Sequence, residues 1–162
     1  MLIDAIRRCM LRDLDALAAE LAAYPDEASV WAKPAGAPNS AGTLALHLAG
    51  NLRHFIGATL GTSGYVRDRD SEFAEVYVPR TELAARIAAA RAEVDTALAG
   101  LDPARLGEPF PLPVGGGTLP TGRFLVHLAG HLAYHLGQLD YHRRLVTGDG
   151  TGVGALALAP LF

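Results

Sequence analysis

An all-α fold, a four-helix bundle with one long crossover connection, is what this sequence predicts, on three observations. Four segments repeat apolar residues at intervals of three and four, the period of one helix face. The stretches between them are crowded with Pro, Gly and small polar residues. Half of the 162 residues are hydrophobic, enough to fill the core of a single domain spanning 1–162.

In the first segment Ile6, Met10, Leu14, Leu17 and Leu21 share a face while Arg7, Arg8, Arg12 and Glu20 take others, and Pro25 stops the helix. Residues 33–39, KPAGAPN, form a loop, after which Asn39 or Ser40 caps a second helix running to about Gly61. The polar connection GTSGYVRDRDSEFAEVYVP is too long for a tight turn and is expected to cross one end of the bundle. A third helix begins near Thr81 and buries Leu83, Ile87, Ala90, Val94, Leu98 and Leu101, with Gly100 and Pro103 marking its end. Residues 103–120, PARLGEPFPLPVGGGTLP, make a loop with room for a short strand pair before the last helix. The fourth helix starts near Thr121 and reaches Val146 or Thr147, with Arg143 and Arg144 in its last turn and Gly148 just beyond.

Composition narrows the partners. A net charge of -3 without a basic block argues against nucleic acid. No run of about 18 apolar residues is present, so no membrane span is expected. A single cysteine, Cys9, cannot form an internal disulfide and suits a reducing cytoplasm, as does an N-terminus without a signal-peptide pattern. The apolar tail GALALAPLF must cover itself against its own bundle or against a second copy, and a homodimer is the expected assembly.

The chemistry concentrates in histidines. His127, His131 and His135 lie four apart in LVHLAGHLAYHLGQL on the fourth helix. Residues at that spacing share a face with Cβ atoms about 6 Å apart, so His131 and His135 can direct ring nitrogens at one ion. All three together climb about 12 Å along the axis, too far for one ion, which leaves His127 beside the site. His47 borders the leucine face of the second helix much as the pair borders Leu128, Leu132 and Leu139. Packing the two faces together therefore brings the histidine edges toward each other. Three neutral imidazoles leave coordination positions open to water or substrate, as in a catalytic site. The plain alternative is a half-buried histidine pair with no ligand at all. Asn51 and Gln138 fit as polar supports rather than ligands, and His54 and His142 as surface or boundary residues. Competing chemistries find no motif, since ExxH, HExxH and GxSxG are all missing from the chain.

The order of LALHLAGNLRHFIG, RDRDSEF and HLAYHLGQL along the whole chain resembles the DinB/YfiT-like superfamily of metal-binding four-helix bundles. The resemblance implies one divalent metal held by three histidines that map onto His47, His131 and His135, the same trio that helix geometry selects. Zinc or nickel suits an all-imidazole set. Characterised relatives include thiol-dependent transferases and isomerases, which implies a metal-dependent transferase or hydrolase-like enzyme activating a low-molecular-weight thiol or a water. In that picture His127, Asn51 and Gln138 support the ligands, and Arg67 and Arg69 bind an acidic thiol or small-molecule substrate. The simpler role for both arginines is pairing with Asp68, Asp70 and Glu72. The contrasting expectation is a non-enzymatic, stress-related bundle that binds metal or a small ligand. An open pocket at the histidines favours the enzyme, a filled site the binding protein.

Overall fold

The computed structural model describes residues 2–162 and builds the fold on four long helices: α1 (Leu2–Ala22), α3 (Ala41–Leu52), α5 (Arg80–Ala99) and α6 (Thr121–Thr147). Two short helices, α2 (Glu27–Trp31) and α4 (Arg69–Ala74), sit in the connections. α1 and α3 each pack against both α5 and α6, closing a four-helix bundle around one apolar core. The stripes expected from the sequence point into it: Met10, Leu14 and Leu17 of α1, Ile87 and Val94 of α5, and Leu128, Leu132 and Leu139 of α6 are all buried. No helix among the described residues is long and apolar enough to cross a membrane.

Helix boundaries follow local chemistry. Ser40 caps α3 by accepting a hydrogen bond from the Thr43 N–H at 3.1 Å, satisfying one of the donors left open at a helix start. Gly148 ends α6 in the left-handed conformation at φ 71°, where glycine has no Cβ to strain. α3 is buried on every side, and beyond Leu52 it does not continue regularly to Gly61 as expected. It widens into a π-helical turn, Arg53–Ala58, whose extra residue per turn re-aims the side chains that follow.

Two connections hold more structure than their composition suggests. Asp26 caps α2, which lays the Trp31 ring over Gly42 of α3, where any Cβ would overlap the indole. Asp68 caps α4 in the crossover connection, and α4 packs against α3. The strand pair expected before α6 is reduced to two isolated bridges, Pro109 with Pro120 and Val114 with Gly117, and there is no β-sheet among the described residues. Pro109, Pro111, Pro113 and Pro120 have no N–H to donate, so a ladder cannot propagate there.

His142 corrects the sequence expectation of a surface or boundary residue, because it is buried with both ring nitrogens satisfied. Its Nε2 donates to the Ala32 carbonyl at 2.8 Å, and its Nδ1 shares a hydrogen bond with the Tyr24 hydroxyl at 2.7 Å. Beside it, Arg143 and Glu20 form an ion pair with both side chains 1% exposed. Arg143 also donates to the Asp149 and Thr151 carbonyls, which ties the start of the C-terminal tail to the bundle. The tail then turns at Ala159–Leu161 against α1, while Leu156, Leu158 and Phe162 stay exposed.

Candidate metal centre

α3 contributes His47, and α6 contributes His131 and His135 from successive turns of its face toward α3. One ring nitrogen from each lies within 4.8 Å of the other two, so the three form a cluster able to coordinate a divalent metal. His47 Nε2 and His131 Nε2 stand 3.2 Å apart. Two nitrogens bound tetrahedrally at zinc's usual bond length are about 3.3 Å apart, so the observed spacing fits two ligands of one ion. The ring of His135 completes the group, edge-on to His47 and His131 with centroids 5.4 and 4.5 Å away.

Tautomers follow from the other ring nitrogens. His47 Nδ1 donates to Glu72 Oε2 at 3.0 Å, which leaves the Nε2 lone pair facing the cluster. His135 Nδ1 donates to Gln138 Oε1 at 2.7 Å with the same consequence. Burial, reinforced by the neighbouring His135 and His47, pushes the His131 pKa down to about 4. Burial lowers the His135 pKa as well. Both rings are therefore neutral near pH 7, the form that binds metal.

Glu72 is the functional residue that sequence reasoning missed as a support of the site, having weighed it only as an ion-pair partner. It is 5% exposed and carries three charge-assisted hydrogen bonds: one from His47 and two from Arg67, whose Nε and Nη2 lie 2.6 and 2.8 Å from its oxygens. Burial alone would raise its pKa, but the Arg67 guanidinium and the His47 ring outweigh burial and hold it below the usual carboxylate range. A Cβ on Gly50 would overlap the Glu72 carboxylate. Gly50 lies three residues after His47 on α3, and that spacing is the one local sign that something had to approach closely beside His47.

The two arginines take different places. Arg67 is committed to Glu72, as the ion-pairing expectation had it. Arg69 lies over the Phe73 ring, 5.1 Å from its centroid, and has no carboxylate within 4.0 Å among the described residues. Phe73 in turn packs on His47 with ring centroids 5.1 Å apart. His127 is exposed and stacks between Phe124 and His131, at 5.8 and 6.2 Å, beside the trio rather than within it. Asn51 is buried beside the cluster, and neither its Oδ1 nor His131 Nδ1 has a hydrogen-bond partner among the described residues.

A cleft of about 540 Å³ opens at the cluster, with His47, His131, Asn51, Phe55, Arg67 and Arg69 in its walls. A second, of about 500 Å³, reaches His135 and Gln138 from the side of the loop at 34–39. The histidines thus lie between two openings. Among known proteins, the family model described as the DinB superfamily matches residues 10–139, a span that includes all three histidines. No curated protein and no solved structure matches the chain.

Proposed function

Because the chain belongs to the DinB superfamily, we propose that His47, His131 and His135 hold one zinc or nickel ion and that the protein is a metal-dependent transferase or hydrolase-like enzyme. The observation that carries this reading is the convergence of three ring nitrogens within 4.8 Å beside an open cleft. A bound ion would supply Lewis acidity, lowering the pKa of a thiol or water so that it is a nucleophile at neutral pH.

The chain's own residues prepare that chemistry. Glu72, clamped by Arg67, holds the His47 ring in one orientation and one tautomer. Gln138 does the same for His135. Phe73 packs against one side of the His47 ring. The substrate in this reading is a small electrophile, with a low-molecular-weight thiol or water as the second reactant. An opening of about 540 Å³ at the histidines supports turnover over a closed binding role.

The test is metal content after dialysis of the full chain and of His47→Ala, His131→Ala and His135→Ala, with His127→Ala as the control. The three ligand variants should lose most of the metal and His127→Ala should keep it. Equal occupancy in all five proteins would sink the assignment, and loss in His127→Ala matching that in His135→Ala would redraw the pair as His127 with His131.

A further inference from the structure

The cleft beside His47 and His131 has features that access to the histidines does not require. Phe55 and Phe124 meet edge-to-face in its wall at 5.0 Å, and Pro113 and Val114 extend the apolar surface from the loop before α6. Such a wall suits a flat apolar body. Positive charge stands at the same cleft without an acid to balance it. Arg67 is neutralised by Glu72, but Arg69 has no carboxylate within 4.0 Å among the described residues, and no Asp or Glu lines the cleft. Phe73 supports the Arg69 guanidinium from below, which keeps it at the rim.

Asn51 supplies an independent sign of a ligand. Its side chain is 7% exposed, it forms part of the cleft wall, and its Oδ1 has no partner among the described residues. A buried acceptor left unpaired is costly, and a ligand O–H or N–H is the complement that removes the cost.

We propose that this cleft binds a small organic acid with a flat apolar body, its carboxylate on Arg69, its body on Phe55 and Phe124, and a hydroxyl or amide donor on Asn51. His47 and His131 share the cleft wall, so a molecule seated there lies against the metal-holding rings. The proposal rests on the metal-centre reading for its chemical purpose only, since the binding contacts belong to other residues.

The experiment is calorimetric titration of the full chain, zinc-loaded and chelator-treated, with three probes: 4-hydroxybenzoate, benzoate without the donor, and phenol without the acid. In the wild type phenol should bind roughly tenfold more weakly than 4-hydroxybenzoate, as loss of one charge-assisted hydrogen bond predicts. Benzoate should bind several-fold more weakly. Arg69→Gln should bring 4-hydroxybenzoate to the level of phenol and leave phenol unchanged, and added salt should act in the same direction. Asn51→Leu should erase the difference between 4-hydroxybenzoate and benzoate. Asn51 is buried, so a thermal melt accompanies that variant, whereas exposed Arg69 tests the proposal without that concern.

Equal binding of phenol and the acids would overturn the proposal, as would an acid preference that survives Arg69→Gln but disappears on chelation, which would place the carboxylate on the metal. Failure of the two readings is distinguishable. Zinc bound without acid preference defeats this proposal alone, and acid preference in a protein that holds no zinc defeats the metal reading alone.

Discussion

Glu72→Gln changes one oxygen to an amide and should weaken metal binding more than so small a change suggests. In the folded protein, Glu72 Oε1 accepts from Arg67 Nε, and Oε2 accepts from both Arg67 Nη2 and His47 Nδ1. A glutamine has one acceptor oxygen. Placed at Oε2 it keeps two bonds but turns its NH2 toward the Arg67 Nε donor; placed at Oε1 it keeps one bond and opposes two donors. Either way, a buried donor is left facing another donor, at a cost of about 1–3 kcal/mol, and the Arg67 charge loses its counter-ion. The less costly escape is for the His47 ring to rotate, which takes Nε2 away from His131, or to exchange tautomer, which puts the proton on Nε2 and removes its lone pair. Supports of this kind are worth roughly 10- to 100-fold in metal affinity, or about 1.4–2.8 kcal/mol. The assay is zinc titration against a competing chelator for wild type, Glu72→Gln and His47→Ala, with a urea melt of each metal-free protein to separate site from fold. Glu72→Gln should fall between the other two. Affinity within twofold of wild type would refute the argument that Glu72 positions His47.

Gly50→Ala should act on the same carboxylate from the opposite side: alanine gains about 1 kcal/mol of helix propensity, yet its Cβ displaces Glu72, so zinc affinity should drop roughly tenfold with little loss of thermal stability, and unchanged affinity would show that α4 can shift away without consequence. For pH, the folded-state pKa of His131 lies near 4, below its unfolded value of about 6.5. The unfolded chain then takes up a proton that the folded chain refuses, so stability present above pH 6.5 is lost as pH falls toward 4 and levels off below it. Urea denaturation of chelator-treated protein at stepped pH should show this slope and a flatter one for His131→Gln; equal slopes would refute it. For assembly, Tyr134, Tyr141 and Leu145 on α6 and Leu156, Leu158 and Phe162 in the tail are exposed, and we expect a homodimer by sedimentation. A chain that stays monomeric at high micromolar concentration would refute it, and a version ending at Gly150 that still dimerises would move the interface from the tail to α6.

What could be read from the sequence alone was whatever depends on neighbours in sequence. The apolar stripes of α1, α5 and α6, a cap at Asn39 or Ser40, the Gly148 stop and a last helix from near Thr121 to Val146 or Thr147 all follow from intervals of three and four and from residues that cap or break a helix. The histidine trio was legible for the same reason, because a rigid helix turns the spacing of His131 and His135 into a fixed distance, and the leucine face of α3 had to carry His47 toward them. The tertiary structure alone decided what surrounds the trio. His47 and Glu72 are 25 residues apart, and they meet because α4 folds across α3 over the gap that Gly50 leaves. That same path commits Arg67 to Glu72 and leaves Arg69 without a carboxylate partner among the described residues, although the two stand two residues apart in a run of alternating charge. His142 is buried because the Tyr24 hydroxyl and the Ala32 carbonyl, both more than a hundred residues away in sequence, give its two ring nitrogens hydrogen-bond partners. No local period encodes such meetings, since a polar side chain's partner is set by how distant segments pack and by the cost of leaving a buried hydrogen-bonding group unpaired.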